Sequence, residues 1–374
     1  MADRPQIANA QRIVVKVGSS SLTGLGGLHS QRMHDLVATL AELRNAGRDV
    51  VLVSSGAVAA GMPALRMKHR PRDLASQQAA ASVGQGLLIE RYHSLFASHG
   101  LVVGQVLLTV DDLTRQANYR NALRTFTKLM QLGAIPVVNE NDTVATHEIR
   151  FGDNDRLAAL VAHLVSADAL VLLSDVDALY TRHPSDPAAV RLSEVVDVDD
   201  LDVDTSRIGS AVGTGGMATK VQAARIAAAG GISVVLASFA DHAAALAGQS
   251  VGTLFHPTGK KRSRRLMWLA YASQAKGDLV LDAGAVRAVL ERKASLLPAG
   301  ITAMHGDFLA GEPVRLLDPD GAVIARGIVN YDSGDLPPLL GKSTHALVEE
   351  RGPAFDREVV HRDALIVKVG RTPR

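Results

Sequence analysis

Residues 134–155 read AIPVVNENDTVATHEIRFGDND, and the way they are divided decides the fold. IPVV at 135–138 is a short apolar run of strand length. It stops at Asn139, Glu140, Asn141 and Asp142, residues that a loop carries and a core does not. Asp153, Asn154 and Asp155 follow Gly152, and from 155 to 167 the apolar positions recur at helical spacing. A second apolar run, ALVLLS at 169–174, comes next. Strand, polar excursion, helix and strand make the repeating unit of a parallel sheet. Two clusters of amides and carboxylates suit an amine or a metal-bound phosphate, and they equally suit a solvated loop.

Upstream the same alternation repeats. RIVVKV at 12–17 reads as a strand ending in Gly18, Ser19 and Ser20. Its odd member is Lys16, which either snorkels from an edge strand or stands near the carboxyl end of a parallel strand, where ligands of open α/β sheets bind. Residues 31–46 form an amphipathic helix, with Gly47 placed as its C-terminal glycine. The strand at 50–53 runs into Ser54, Ser55 and Gly56, a helix start that suits an anion or is simply an N-cap serine. Further helices are expected at 73–99, interrupted by Gly84 and Gly86, and at 118–132, with a strand at 101–109. Each polar cluster falls where an apolar strand has just ended. The expected fold class is therefore α/β, a mostly parallel sheet sandwiched by helices.

Composition agrees and excludes several classes. A chain of 374 residues with 47% apolar residues and only 3% aromatic ones builds its core from Ala, Val, Leu and Ile, as parallel sheets under Ala-rich helices do. The length suggests two domains. Without cysteine there are no disulfides or thiolate metal sites. MADRPQIANAQR at the start carries no apolar signal core, no apolar run reaches membrane-spanning length, and a cytoplasmic enzyme without membrane association is expected. A net charge of +2 is too small to argue for nucleic acid.

The last third changes texture. EVVDVDDLDVD at 194–204 lacks the glycine bend of a calcium loop and reads as a solvated surface connection. GTGGMATK at 213–220 fails the Walker A pattern, because Ala218 stands at the second glycine. It satisfies GxGxxA, but no strand precedes it as a dinucleotide fingerprint requires. What remains is a glycine loop at a helix start with Lys220 in the first turns, a phosphate grip. TGKKRSRR at 258–265 reads as a linker or a weak basic signal. Beyond it, short alternating strands, with a turn at 318–321, predict a small mostly-β domain.

VVKVGSS, VSSGAVAAG, VVNENDTVA, FGDNDRLAA, LLSDVDALYT and GTGGMATK occur in the order found in the glutamate kinases of the amino acid kinase family, which the chain resembles over nearly its whole length. The final part, with GDLVLDAGAVRAVLERKASLLPAGI and HGDFLAGEPVRL, resembles a PUA domain. The resemblance implies a catalytic domain at 1–258, a linker at 259–275 and a PUA domain at 276–374. It implies ATP-dependent phosphorylation of the γ-carboxylate of L-glutamate to L-glutamyl 5-phosphate, the first step towards proline, with proline as a feedback inhibitor, Mg²⁺ as cofactor and a homo-oligomer, dimer or tetramer. By the same resemblance Lys16, Lys220 and Asp155 are catalytic, and Ser55, Asp142 and Asn154 bind the acceptor. Lys16, Ser174, Asp175, Thr214, Gly215, Gly216, Met217, Ala218, Thr219 and Lys220 contact ATP, and no residue is assigned as a metal ligand. Ser174 stands where some relatives have threonine, and Ala218 where they have serine; both keep a small side chain.

Other acids, namely N-acetylglutamate, aspartate or carbamate, are the nearest rival acceptors. A nucleotide-binding regulator without catalysis is disfavoured by the presence of both lysines. RNA binding through the PUA domain is disfavoured because its basic residues are not interleaved with aromatics.

Overall fold

The computed structural model describes residues 4–24, 27–114, 116–144, 154–201, 216–258, 269 and 275–367. The chain divides into two compact units, the first made of residues 1–113 and 117–262, the second mainly of 263–374. Among the described residues the first unit holds an eight-stranded sheet. Its strands are β1 (Arg12–Val17), β2 (Asp49–Ser54), β3 (Val103–Leu108), β4 (Ile135–Glu140), β5 (Ala169–Ser174), β6 (Glu194–Val195), β7 (Ser233–Ser238) and β8 (Thr253–Phe255). They lie in the order β6–β8–β7–β5–β1–β2–β4–β3. Neighbours from β7 through to β3 are parallel, and β8 runs antiparallel to β7. The acidic stretch is thus more than a surface connection, because Glu194–Val195 forms the edge strand β6, parallel to β8, with Val195 buried.

Strand order reverses at β1, which pairs with β2 on one side and β5 on the other. That crevice at the carboxyl ends is where an open α/β sheet offers a site. Side chains of a strand alternate between faces. Ile13, Val15 and Val17 join the core formed with Leu36 and Leu40 of helix α1 (Ser30–Asn45) and with residues of two further helices, α2 (Ala57–Ala64) and α3 (Leu74–Ala97). Lys16 has the opposite parity and turns to the other face. It pairs in register with Val53 and Leu172 on a central strand and is 5% exposed, so it is neither at an edge nor snorkelling.

Helix α4 (Gln116–Gln131) ends at Gly133, whose φ of 81° suits a residue without Cβ. Helices α5 (Asn154–Val165) and α6 (Met217–Ala229) pack together. His163 of α5 clamps them, its Nε2–H donating to the Ile226 carbonyl in the last turn of α6 at 2.7 Å. Burial pushes the His163 imidazole down to about 4, so it is neutral near pH 7 and makes this bond as an uncharged donor.

The second unit contains a sheet in the order β10–β9–β11–β12–β13, from β9 (Gly277–Leu281), β10 (Ile301–Gly306), β11 (Pro313–Leu317), β12 (Val323–Val329) and β13 (Val360–Val367). The expected turn at 318–321 joins β11 to β12, with Gly321 N–H donating to the Asp318 carbonyl at 3.0 Å. Two helices not foreseen from the sequence, α7 (Ala283–Leu290) and α8 (Thr344–Arg351), accompany the strands. Each starts on a side-chain cap, Asp282 accepting from Ala285 N–H and Ser343 from Ala346 N–H.

The expected interruption at Gly84 and Gly86 is absent: α3 runs unbroken through both. Gly84 faces α2 so closely that a Cβ there would stand 1.8 Å from the Ala57 carbonyl oxygen, whereas at Gly86 a Cβ meets nothing within 4 Å. Gly84→Ala is expected to force the two helices apart and destabilise the protein by at least about 2 kcal/mol. Gly86→Ala is expected to be neutral or to stabilise by up to about 1 kcal/mol through helix propensity. Urea denaturation of the two variants checks the contrast; equal stabilities would remove the close crossing as a constraint.

Candidate active site

The carboxyl ends of the central strands deliver the polar residues to one place. Lys16 comes from β1, Ser55 from the turn after β2, Asn139 and Glu140 from the end of β4, and Ser174 from the end of β5. Asn154 and Asp155 open α5, and Thr219 and Lys220 lie in the first turn of α6. Gly56, at φ 109°, precedes α2 with no side-chain cap bond. The serine there is therefore not an N-cap, and Ser55 Oγ instead accepts from Asn154 Nδ2 at 2.9 Å.

Asp155 is the meeting point. Lys16 Nζ stands 2.6 Å from its Oδ1 and Lys220 Nζ 3.3 Å from its Oδ2, while Thr219 Oγ1 lies 2.8 Å from Oδ2. The carboxylate is 2% exposed, Lys16 5% and Lys220 7%. Burial alone would push the Asp155 carboxyl up, but the two ammonium groups and the Thr219 hydroxyl outweigh it and hold it far below the usual range. Its place in the first turn of α5 adds the favourable end of the helix dipole. Two cations and one anion sum to one positive charge in a poorly solvated place, which favours a further anion.

On the β2 and β4 side the groups are amides and carboxylates. Asn154 Nδ2 donates to Ser55 Oγ and, at 3.1 Å, to Asn139 Oδ1. Asn154 is 3% exposed, and its own Oδ1 is buried without a partner among the described residues. Such an acceptor is costly unless a ligand donates to it. Asp142, just past β4, is buried and pushed up to about 7, first by burial and then by the neighbouring charge of Glu140, against a lowering contribution from Arg70. It is thus a carboxylate that gains from a cationic visitor. Arg70 and Gln85 had no motif to mark them; Asn139 and Glu140 sat inside the quoted stretch without being assigned a role.

On the β5 and β7 side, Ser174 Oγ donates to Asp175 Oδ1 at 3.0 Å. A cleft of about 390 Å³ opens beside them, lined also by Ser20, Arg32, Ser238 and His242. Gly216, in extended conformation, leads into α6, whose Met217, Ala218, Thr219 and Lys220 present the first-turn N–H groups. Thr214 and Gly215 of the expected phosphate loop lie outside the described residues, as does Asp153. The structure thus gathers Lys16, Lys220 and Asp155 in one cluster and Ser55 with Asn154 in the adjoining one. Ser174 and Asp175 follow at the end of β5, the strand that pairs with β1 beside Lys16.

Among the described residues, no helix is long and apolar enough to cross a membrane. The profile of the amino acid kinase family matches residues 11–238, and that of the PUA domain matches 277–349. A glutamate 5-kinase of Streptomyces coelicolor is 61% identical over 367 residues, spanning 97% of this chain and 98% of the relative. One from Thermobifida fusca is 59% identical over 97% of this chain and 95% of the relative. A third, from Rhodococcus opacus, is 53% identical over 98% and 99%. With a family match across more than half its length and relatives aligned nearly end to end, this chain belongs to the amino acid kinase family and carries a PUA domain after its kinase unit.

Proposed function

We propose that the chain transfers the γ-phosphoryl group of ATP to the γ-carboxylate of L-glutamate, giving L-glutamyl 5-phosphate and ADP. The observation that carries this reading is the pair of buried ammonium groups held on Asp155 at the sheet's switch point, beside an amide and carboxylate cluster. A carboxylate oxygen is a nucleophile at neutral pH. It attacks the γ-phosphorus, the bond to the β,γ-bridging oxygen breaks, and ADP leaves with no proton to be moved. What such a reaction needs is alignment and neutralisation of charge between two anions. Lys16 and Lys220 fit the neutralising role, and Asp155 fits that of holding them. Ser55, Asn154 and Asp142 fit the acceptor's ammonium end. Ser174, Asp175 and residues 214–220 fit the nucleotide.

Mg²⁺ bound with the nucleotide would offset charge on its phosphates. Among the described residues no three His, Cys, Asp or Glu side chains gather as a cage, and Asp155 is committed to two lysines. Phosphate oxygens and water would then supply most of its ligands. The division into a catalytic domain at 1–258, a linker and a PUA domain from 276, proline as feedback inhibitor, a homo-oligomer and a cytoplasmic location complete the proposal.

The decisive assay follows ADP release with Mg·ATP and L-glutamate, trapping the acyl phosphate as its hydroxamate, against N-acetylglutamate and aspartate. Turnover dependent on L-glutamate is expected, and its absence overturns the reading. Lys220→Ala is expected to lower kcat by at least about tenfold, as for loss of an electrostatic contact to the transition state; a folded variant with wild-type turnover removes Lys220 from the catalytic set.

Asp142 supplies a pH signature. With its carboxyl pushed up to about 7, the acid form prevails below that pH and cannot pair with an ammonium. kcat/KM for L-glutamate should rise with pH through about 7 in the wild type, and Asp142→Asn should lose both the activity and this limb. The raised carboxyl also means that its ionisation weighs against the folded state once the pH exceeds the unfolded value. Asp142→Asn is accordingly expected to melt higher than wild type at pH near 8 and to lose that advantage in acid. A flat wild-type profile across neutrality would remove Asp142 from the acceptor site.

A further inference from the structure

On the reading that L-glutamate is the acceptor, we propose that Gln85, a residue of α3 outside every recognised motif, is a positioning residue that sets the enzyme's demand for a free α-ammonium group. The chain of contacts begins at a backbone carbonyl. Gln85 Nε2 donates to the Glu140 carbonyl oxygen at 3.3 Å. A carbonyl can only accept, so the Gln85 amide is turned with its nitrogen towards Glu140 and its Oε1 towards Asn139. Asn139 Nδ2 donates to that Oε1 at 3.1 Å. Asn139 Oδ1 then accepts from the Glu140 N–H at 2.9 Å and from Asn154 Nδ2 at 3.1 Å. A backbone N–H can only donate, so the Asn139 amide is fixed from both ends.

Asn154 inherits the direction. Both hydrogens of its Nδ2 are engaged, by Asn139 Oδ1 and Ser55 Oγ. Its Oδ1 must therefore face away from the relay, and it is the buried oxygen that lacks a partner among the described residues. An amide has no intrinsic preference between its two ends. Here the two main-chain groups of Glu140, read through two side-chain amides, decide that the site shows an acceptor. A group that donates N–H bonds completes it, and an ammonium meets that description. An acceptor acid without an amino group leaves Asn154 Oδ1 buried and unsatisfied, which is how polar sites reject analogues.

The test compares Gln85→Met, which keeps the volume and removes both hydrogen bonds, with Gln85→Glu, which keeps the oxygen that Asn139 needs. L-glutamate and glutarate, which lacks the amino group, are assayed with wild type and both variants, glutarate as substrate or as competitor. Gln85→Met is expected to raise KM for L-glutamate by about tenfold, the scale of one unmade buried hydrogen bond, with KM for ATP unchanged. The preference for L-glutamate over glutarate should narrow by a similar factor, and Gln85→Glu should recover part of it. A folded Gln85→Met enzyme with wild-type KM and preference overturns the proposal. So does a loss shared equally by L-glutamate and glutarate, which is general damage rather than amide orientation. Should Gln85→Met fail to fold, Gln85→Leu, which also removes both hydrogen bonds, takes its place: a narrowed preference with KM for ATP unchanged supports the relay, and wild-type KM and preference overturn it. Wild-type enzyme inert towards L-glutamate defeats the proposed activity instead, a result distinct from either.

Discussion

A carboxylate held between two ammonium groups away from water is the constraint on which the rest depends. Removing such charges from solvent costs several kcal/mol for each ion, and a packed apolar cluster in the same place is usually at least as stable. Stability therefore does not account for Asp155, Lys16 and Lys220. The fold accommodates them by putting each on a rigid element, a central strand and two helix first turns, so that three long-range neighbours meet at 2.6 and 3.3 Å. His163 belongs to the same framework. By tying α5 to the last turn of α6, it fixes the register of the helices that carry Asp155 and Lys220.

Two aspartates thirteen positions apart in sequence show how environment divides chemistry. Asp155, with two lysines and a hydroxyl, is held ionised far below the ordinary range, whereas Asp142, buried beside Glu140, is pushed up to about 7. Pairs of titratable groups driven apart in this way mark distinct tasks. One is a fixed anion that arranges cations, and it is satisfied before any substrate arrives. The other is a buried carboxylate beside Glu140 that gains when a further cation comes to it. The first suits the phosphoryl end of the reaction and the second the amino end of the acceptor.

What the sequence disclosed follows from range. Apolar runs ending in glycine, serine or amides identified the parallel sheet and placed Lys16, Ser55 and Ser174 at strand ends and Asn154 just before a helix, because strand and loop are local properties. Gln85 was invisible. It sits on a helix whose pattern reads as packing, and its partners lie 54 and 55 positions away. Gly84 misled for a related reason: as a local signal it breaks helices, yet here the missing Cβ makes room for the Ala57 carbonyl of a neighbouring helix. The helices α7 and α8 escaped notice because eight residues each are too few for periodicity to stand out against alternating strands.

The relay from Gln85 also explains why a hydroxyl and an amide, rather than charges, hold Asn154 Nδ2. A charged side chain orients by attraction and tolerates movement, but it would compete with Asp142 for the arriving ammonium or with Asp155 for the lysines. A chain of amides transmits direction without adding net charge, and its direction comes from main-chain groups of β4, the least mobile donors and acceptors available. The electrostatic part of the site and the selective part thus share the carboxyl end of one sheet without cancelling each other. Charge is concentrated where phosphate must be neutralised, and dipoles are aligned where one end of a small zwitterion must be told from the other.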